Sequence, residues 1–269
     1  MGKFLAYLTF LALLAVGAAW YAQSQNGFGI PFLHSFSSRA PPDGGENGWL
    51  EELHSQNPRE AQEAATHVRR LGNAALPRVQ EVLRMAHDLD RRKAALRACV
   101  ILEQRAAPLI PDVAAQLSDP ELTEEAAMAL SFMGRGAFGA LRQASTSSDP
   151  VVRREAIRSI GKLTARAPLD PRSVIPLLVA AMRDRDHAVR AVAATYLGII
   201  HEEPGASVPA LTAGLQDSEI EVRRASATAL GSFEEAAEPA VPALRKAAGD
   251  RDEDLAREAG LALIKIQVR

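Results

Sequence analysis

The sequence repeats a short phrase at an interval that constrains the fold more than any other feature. In each copy an arginine precedes a glycine by eight residues, and a proline then opens a second apolar run. The prolines are Pro176, Pro209 and Pro242, so each lies 33 residues after the one before. A period of roughly 20–50 residues is typical of stacked helix pairs. Aromatic residues make up only 5% of a chain rich in alanine and leucine, which favours helices. We therefore predict an all-α fold, a right-handed α-solenoid or superhelix.

Helix pairs can be placed along residues 58–269 from the spacing of apolar residues. The first helices are predicted at 58–72, 90–103, 121–134, 150–164, 187–200, 219–233 and 252–268. The second helices are predicted at 75–86, 108–118, 137–146, 171–183, 206–216 and 239–248. The last unit lacks a second helix and should act as a terminal cap. One pair alone cannot cover its apolar stripe, so each unit should depend on its neighbours for stability.

These phrases, an aspartate, then Val-Arg, small residues, Leu-Gly or Ile-Gly and a proline-led helix, resemble the HEAT repeat. They are closest to a short bacterial form, similar to the repeats of phycobilisome bilin lyases. The resemblance covers residues 58–269 and is most specific in 149–250. It implies about six to seven HEAT-like helical hairpins, with a structural ladder of aspartates and arginines linking successive units. The residues that match this ladder are Asp149, Arg153, Asp186, Arg190, Asp217 and Arg223. The first three units depart from the pattern, with Ala64, Ala95 and Ala126 in place of the arginine.

The N-terminal segment has the character of a membrane signal. Residues 4–22 carry no charge, and as a helix they would span about 28 Å, close to the thickness of the hydrocarbon core. We expect one hydrophobic helix within residues 1–22, acting either as an uncleaved signal-anchor or as a cleaved signal peptide. Trp20 and Tyr21 favour the anchor, because aromatic side chains sit at membrane interfaces.

The remaining organisation follows from composition. Residues 23–57 are predicted to be a flexible linker because proline, glycine and serine are frequent there. The repeat domain, 58–269, would then lie outside the cytoplasm, tethered to the membrane on the periplasmic side, or secreted if the signal is cleaved. Trp49, Leu50 and Leu53 are candidates for capping the end of the array.

The second helices are expected to line the concave side of the stack and to offer a partner-binding row. Its members are Gln80, Arg84, Arg142, Arg183, Thr212, Gln216 and Arg245. One interpretation is a recognition strip for an acidic or extended protein segment, and the other is a solvated groove wall. Arg154 and Arg224, one position beyond the ladder arginines, are expected to be solvated.

Several classes of chemistry are disfavoured by what the chain contains. With 31 basic and 33 acidic residues the net charge is −2, whereas nucleic-acid-binding domains usually show a basic excess. Cys99 is the single cysteine, which excludes an internal disulfide, and we expect it in the core. The six histidines lack the spacing of metal ligands, and no nucleophile elbow or phosphate loop occurs. No catalytic residue, metal or cofactor is therefore predicted.

These features predict a non-catalytic, membrane-tethered scaffold for protein–protein interaction, monomeric by itself and without affinity for nucleic acid. Two alternatives stay open. One is an enzyme, either similar to the bilin lyases or a helical-repeat DNA glycosylase, although the repeats hold few aromatic residues for a pigment or a flipped base. The other is a structural envelope protein that self-assembles.

Overall fold

The computed structural model describes residues 48–167 and 169–267, and over these residues the chain is helical, with no strand. The all-α prediction is confirmed. The helices are α1 (Trp49–Glu52), α2 (Pro58–Leu71), α3 (Leu76–Met85), α4 (Leu89–Leu102), α5 (Ile110–Ala115), α6 (Thr123–Phe132), α7 (Phe138–Ala144), α8 (Pro150–Arg166), α9 (Pro171–Ala181), α10 (His187–Ile200), α11 (Pro204–Gly214), α12 (Ile220–Leu230), α13 (Val241–Ala247) and α14 (Glu253–Gln267). Short 3₁₀ helices occupy Gly72–Ala75, Glu103–Leu109, Gln116–Ser118, Arg135–Ala137 and Glu234–Ala240.

The predicted first helices are the even-numbered ones from α2 to α14, and the second helices are the odd-numbered ones from α3 to α13. Even-numbered neighbours pack along one another through the whole array, whereas odd-numbered neighbours touch much less. Small residues allow the close packing. A Cβ atom added at Gly198 of α10 would lie 2.6 Å from the Cα of Ala229 in α12, so those two backbones are in direct contact. The core is one continuous cluster that includes Leu130, Leu197 and Leu230 of the even-numbered helices α6, α10 and α12.

Helix starts follow from capping residues. The carboxylate of Asp149 accepts a hydrogen bond from the amide of Val151 at 2.8 Å, and Pro150 occupies the first turn. Asp186 accepts from the amides of Ala188 and Val189 at 3.0 and 3.1 Å. An acceptor there satisfies amides that have no partner within the helix. These caps fix where α8 and α10 begin.

The array begins earlier than the predicted domain boundary. Helix α1 lies within residues 23–57, the segment predicted as a linker, and it packs against α2 and α4. Trp49, Leu50 and Leu53 are 6%, 1% and 5% exposed. Arg97 of α4 donates a hydrogen bond to the carbonyl of Leu53 at 3.1 Å. These residues cover α2 and α4, the first helices of the first two pairs, which is the capping position predicted for them.

The predicted hydrophobic helix within residues 1–22 lies outside the described residues, as does the linker up to residue 47. Among the helices that the structure does describe, none combines the length and the apolarity needed to cross a bilayer.

Candidate functional site

Arginines of the even-numbered helices join consecutive units. The Nη1 of Arg153 donates to the carbonyls of Ser147 and Ser148, both at 2.9 Å. Its Nε and Nη2 bind the two carboxylate oxygens of Asp184 at 2.8 and 2.7 Å. One guanidinium therefore closes the turn before its own helix and also binds the turn before the next even-numbered helix. The Arg153 side chain is only 6% exposed, so this bidentate pair is nearly buried.

The next step of the ladder repeats this geometry. The Nη1 of Arg190 donates to the carbonyls of Asp184 and Arg185 at 2.8 and 3.3 Å. Its Nε and Nη2 bind both oxygens of Asp217 at 2.7 and 2.8 Å. Hydrogen bonds from Arg153 and Arg190 lower the pKa values of Asp184 and Asp217 below that of a free carboxyl, against the opposing effect of burial.

The structure places the six ladder residues differently from one another. Arg153, Arg190 and Asp217 link successive units, whereas Asp149 and Asp186 cap their own helices. The aspartate directly before a helix meets the free amides of the first turn, so it is not available to the neighbouring unit. The carboxylate that crosses between units in the first step is Asp184, which the sequence analysis missed.

The last step of the ladder shifts by one residue. Arg223 donates to the carbonyls of Asp217 and Ser218, both at 2.9 Å, and forms no ion pair with any described residue. Arg224 takes over the crossing role and binds the oxygens of Asp252 at 2.9 and 2.6 Å. The expectation that Arg224 is simply solvated is therefore corrected.

The N-terminal units also have a crossing pair, although they lack the arginine of the repeat phrase. Arg92 of α4 binds Asp119, in the turn before α6, at 2.8 Å. The separation of 27 residues is the same as that between Arg190 and Asp217. The other two crossing pairs are 31 and 28 residues apart, so the sequence signal that all four share is an arginine followed by an aspartate 27–31 residues later. The repeat phrase has its arginine at the position of Ala95, and Arg92 lies one helical turn before that position.

The predicted partner-binding row lies on the odd-numbered helices and the turns that follow them, and part of it is occupied internally. Gln80 and Arg84 of α3 both donate to the carboxylate of Asp112 in α5. The amide oxygen of Gln216 accepts from Lys246 at 3.3 Å, and Thr212 donates to the carbonyl of Val208 at 2.8 Å. These four side chains therefore form hydrogen bonds within the array and are not free to bind a partner.

The other three members of the row are available. Arg142, Arg183 and Arg245 are exposed, and none of them forms an ion pair with a residue that the structure describes. Their positive charges are the part of the predicted row that a partner could neutralise.

A cleft opens between α9 and α11. It encloses about 230 Å³ and is lined by Val179, Met182, Arg183, Ala206, Pro209, Ala210, Ala213, Gly214 and Asp217. Its walls are mostly small apolar side chains. Asp217 is already bound to Arg190, so Arg183 contributes the free charge at this site. The cleft can accept an apolar side chain with a carboxylate beside it. The sequence analysis identified Arg183 but missed the apolar walls.

A possible metal-ligand cluster and the single cysteine both have structural explanations. His187, Glu219 and Glu221 bring possible ligand atoms within 4.8 Å of one another. They lie at the starts of α10 and α12, where helix dipoles stabilise carboxylates and disfavour a cation. Cys99 is fully buried in α4, and burial raises the pKa of its thiol to about 12, so the thiolate that reacts is suppressed.

Comparison with known proteins supports a HEAT-like repeat fold. HEAT repeats match residues 139–207 and 175–265. No curated protein matches the sequence. The crystal structure of Kap121p is 15% identical with a TM-score of 0.60, over 81% of this chain and 27% of that one. Importin beta is 16% identical with a TM-score of 0.54, over 81% and 35%. At such identities these likenesses extend to the fold alone.

A lyase also lies among the similar structures. The complex of CpcE and CpcF of phycocyanin lyase from Nostoc sp. PCC7120 is 23% identical to this chain, with a TM-score of 0.49. The match covers 58% of this chain and 98% of the lyase chain.

Proposed function

This chain is a HEAT-like repeat protein over residues 139–265, and on that premise we propose that it is a non-catalytic scaffold that holds a protein partner. The observation that carries the proposal is the cleft between α9 and α11, with the exposed Arg183 at its edge. A stack of packed helices is rigid, so its surface can present such a cleft without a large ordering cost on binding.

The partner that fits is an extended protein segment with an apolar residue next to an acidic one. The apolar side chain would enter between Val179 and Ala213, where it is removed from water. The carboxylate would meet Arg183, which is exposed and forms no ion pair with any described residue. Arg142 and Arg245 carry further free charges on the same row and would extend the contact along the array.

The cleft supports a binding role more than a catalytic one. Its lining offers a guanidinium, apolar carbon atoms and a carboxylate already bound to Arg190. Its volume of about 230 Å³ is below the roughly 300–1,000 Å³ of sites that enclose a small-molecule ligand. A protein side chain fits this cleft better than a tetrapyrrole does, which disfavours a lyase reaction there.

We place this scaffold at a membrane, outside the cytoplasm. This part of the proposal rests on the uncharged run 4–22 and on residues 23–47 of the predicted linker, all of which precede the described residues. Fractionation of cells tests it. Recovery of the protein from membranes with peptides of residues 4–22 intact supports an anchor, whereas soluble protein without them indicates a cleaved signal.

Capture from crosslinked membranes tests the binding role. We compare the tagged full chain with Ala213→Trp, which fills the cleft, and with Arg183→Ser, which removes its charge. Ala115→Trp on α5 is the matched control, because Ala115 is also exposed on an odd-numbered helix but lies away from the cleft. We expect one stoichiometric partner with the wild type and with the control, lost with Ala213→Trp and reduced with Arg183→Ser.

The same experiment can contradict the proposal. Equal recovery of the partner by all four proteins would show that the cleft is not the binding site. Recovery of the bait alone from every sample would argue against a stable scaffold. Thermal unfolding of each variant confirms that the substitutions leave the array folded.

A further inference from the structure

Helix α8 carries a row of basic side chains that the cleft does not use. Its members are Arg154, Arg158, Lys162 and Arg166. Each lies four residues after the one before, so all four fall on one face of the helix. At 1.5 Å per residue the row is about 18 Å long. We call it the α8 basic row.

The α8 basic row is not part of the repeat architecture. Counted from the ladder arginine, the corresponding positions in and after α10 are Ala191, Thr195, Ile199 and Glu203, and those in and after α12 are Arg224, Thr228, Ser232 and Ala236. Residues that build the stack recur from unit to unit, as the ladder arginines do. A feature present in one unit alone therefore calls for a role outside the stacking of units.

The row is poorly neutralised within the protein. Glu155 is buried and accepts a hydrogen bond from the Nε of Arg154 at 2.9 Å, and it lies 3.4 Å from the Nε of Arg158. Lys162 and Arg166 form no ion pair with any residue in the described part of the chain. Glu155 therefore neutralises at most one of the four positive charges, and it contacts only Arg154 and Arg158. Like charges four residues apart on a helix repel one another, so the free array carries an unfavourable arrangement that an acidic partner would relieve.

Aromatic and apolar side chains border the row. The guanidinium of Arg166 stacks over the ring of Phe132 from α6, 3.7 Å from its centroid. Tyr196 of α10 fills the space beside Gly161. On the α6 side, the carboxylate of Glu125 is directed to Lys93 of α4, at 3.6 Å. The row is thus a cationic strip with apolar borders, exposed at Arg166 and half-buried at Arg154, Arg158 and Lys162.

We propose that the α8 basic row binds an acidic helix of a protein partner, with carboxylates repeating every four residues. Such a helix would place one carboxylate opposite each cation, and its apolar positions would rest against Phe132 and Tyr196. The borders and the short length favour a protein over nucleic acid, since a duplex is bound through a wider basic surface and this chain has a net charge of −2. The row lies on the even-numbered helices, so this proposal is independent of the cleft.

Binding of a designed peptide to the full chain tests the proposal. The probe is a fluorescent, end-blocked peptide of four Glu-Ala-Ala-Ala units, and its control has the same composition with the glutamates dispersed around the helix. Fluorescence anisotropy compares the wild type with Lys162→Gln/Arg166→Gln, which leaves both partners of the buried Glu155 in place. The matched variant is Arg172→Gln/Arg251→Gln, which removes the same charge from two exposed arginines elsewhere.

We expect Lys162→Gln/Arg166→Gln to weaken binding of the ordered peptide about fivefold or more and Arg172→Gln/Arg251→Gln to change it less than about twofold. Absence of binding to the wild type, equal weakening in both variants, or equal binding of the two peptides would overturn the proposal. Stronger competition by a single-stranded oligonucleotide or by anionic vesicles than by the ordered peptide would also overturn it, in favour of a nucleic acid or a membrane. Should the double variant unfold, Lys162→Gln alone gives the same comparison.

Discussion

At the scale of single residues, the ladder shows how one arginine can organise a large part of a repeat. The guanidinium of Arg153 has five donor groups, and the structure uses them on two turns at once. A lysine has a single ammonium and could not reproduce this planar, bidentate arrangement. The recurrence of arginine at this position is therefore explained by geometry as well as by charge.

The ladder makes the folding stability of the array depend on pH in the acidic range. The pKa values of Asp184 and Asp217 are lower in the folded array than in the unfolded chain, where the pKa of an aspartate is about 4. A lowered pKa adds stability that is fully present above the unfolded value and is lost as the pH falls through the folded value. We expect the melting temperature, followed by circular dichroism, to fall as the pH is lowered from about 5 to about 2.

Asp184→Asn/Asp217→Asn isolates the contribution of the ladder to this acid sensitivity. The double variant should be less stable at neutral pH and should lose less stability on acidification. Glu63→Gln, which changes an exposed carboxylate of α2, is the control and should follow the wild-type curve. A double variant with the wild-type acid slope would mean that other carboxylates control the transition.

Sequence reasoning found the ladder arginines because they recur, but it could not assign their partners. Asp186 and Asp184 are two positions apart and chemically identical, yet one caps α10 and the other binds Arg153. The choice depends on which carboxylate faces the free amides of the helix and which faces the neighbouring unit. The orientation of each carboxylate is set by how the units stack in three dimensions, and it cannot be read from the position of the residue in the chain.

At the scale of helices, close packing depends on glycine and alanine at the contacts. Gly198→Ala adds a methyl group against the backbone of Ala229, at a distance of 2.6 Å that no real contact shows. The overpacking should cost about 1–3 kcal/mol, which outweighs the gain in helix propensity of at most about 1 kcal/mol. We predict a lower free energy of unfolding, measured by urea titration.

Gly260→Ala is the matched control for that substitution. Gly260 lies within α14, and a Cβ atom there would meet nothing within 4 Å. Only the propensity effect remains, so this variant should be stabilised by up to about 1 kcal/mol. Destabilisation of both variants by the same amount would mean that close approach of α10 and α12 is not the cause.

Helix positions were largely predictable and the cleft was not. The apolar period placed α10 at residues 187–200, as the structure has it. The 3₁₀ helices between first and second helices have no distinct period of their own and went unpredicted. The cleft depends on the distance between α9 and α11, which results from how tightly α8, α10 and α12 pack on the other side. The sequence around Ala210 and Ala213 does not predict the distance between α9 and α11.

At the scale of the whole molecule, the array is a line of units, each supported by its neighbours, and its ends need protection. Trp49→Ala removes a side chain that is 6% exposed and covers α2 and α4. The cavity should cost about 3–5 kcal/mol, borne mainly by the first units. We predict faster hydrogen exchange in residues 58–102, with little change in residues 150–265.

Met85→Ala supplies the control for this prediction, since Met85 is 73% exposed and its removal should leave exchange unchanged. Equal loss of protection along the whole chain after Trp49→Ala would show that the array unfolds as a single cooperative body. The capping role of Trp49 could be foreseen from its place before the first unit, but the helical packing of α1 inside the predicted linker could not. Four residues are too few to show a period.

The equivalence of Asp184 and Asp217 bears on how such a protein changes length over evolutionary time. Excision of residues 184–216, one period of 33, would bring Asp217 to the place where Asp184 now meets Arg153. Neither a carboxylate nor a guanidinium would be orphaned, so unequal exchange between copies of the coding sequence can shorten or lengthen the middle of the array without an electrostatic penalty. The last step of the ladder cannot be exchanged in this way. Arg224 rather than Arg223 binds Asp252 there, so a unit with this shifted pairing fits only next to the C-terminal helix α14.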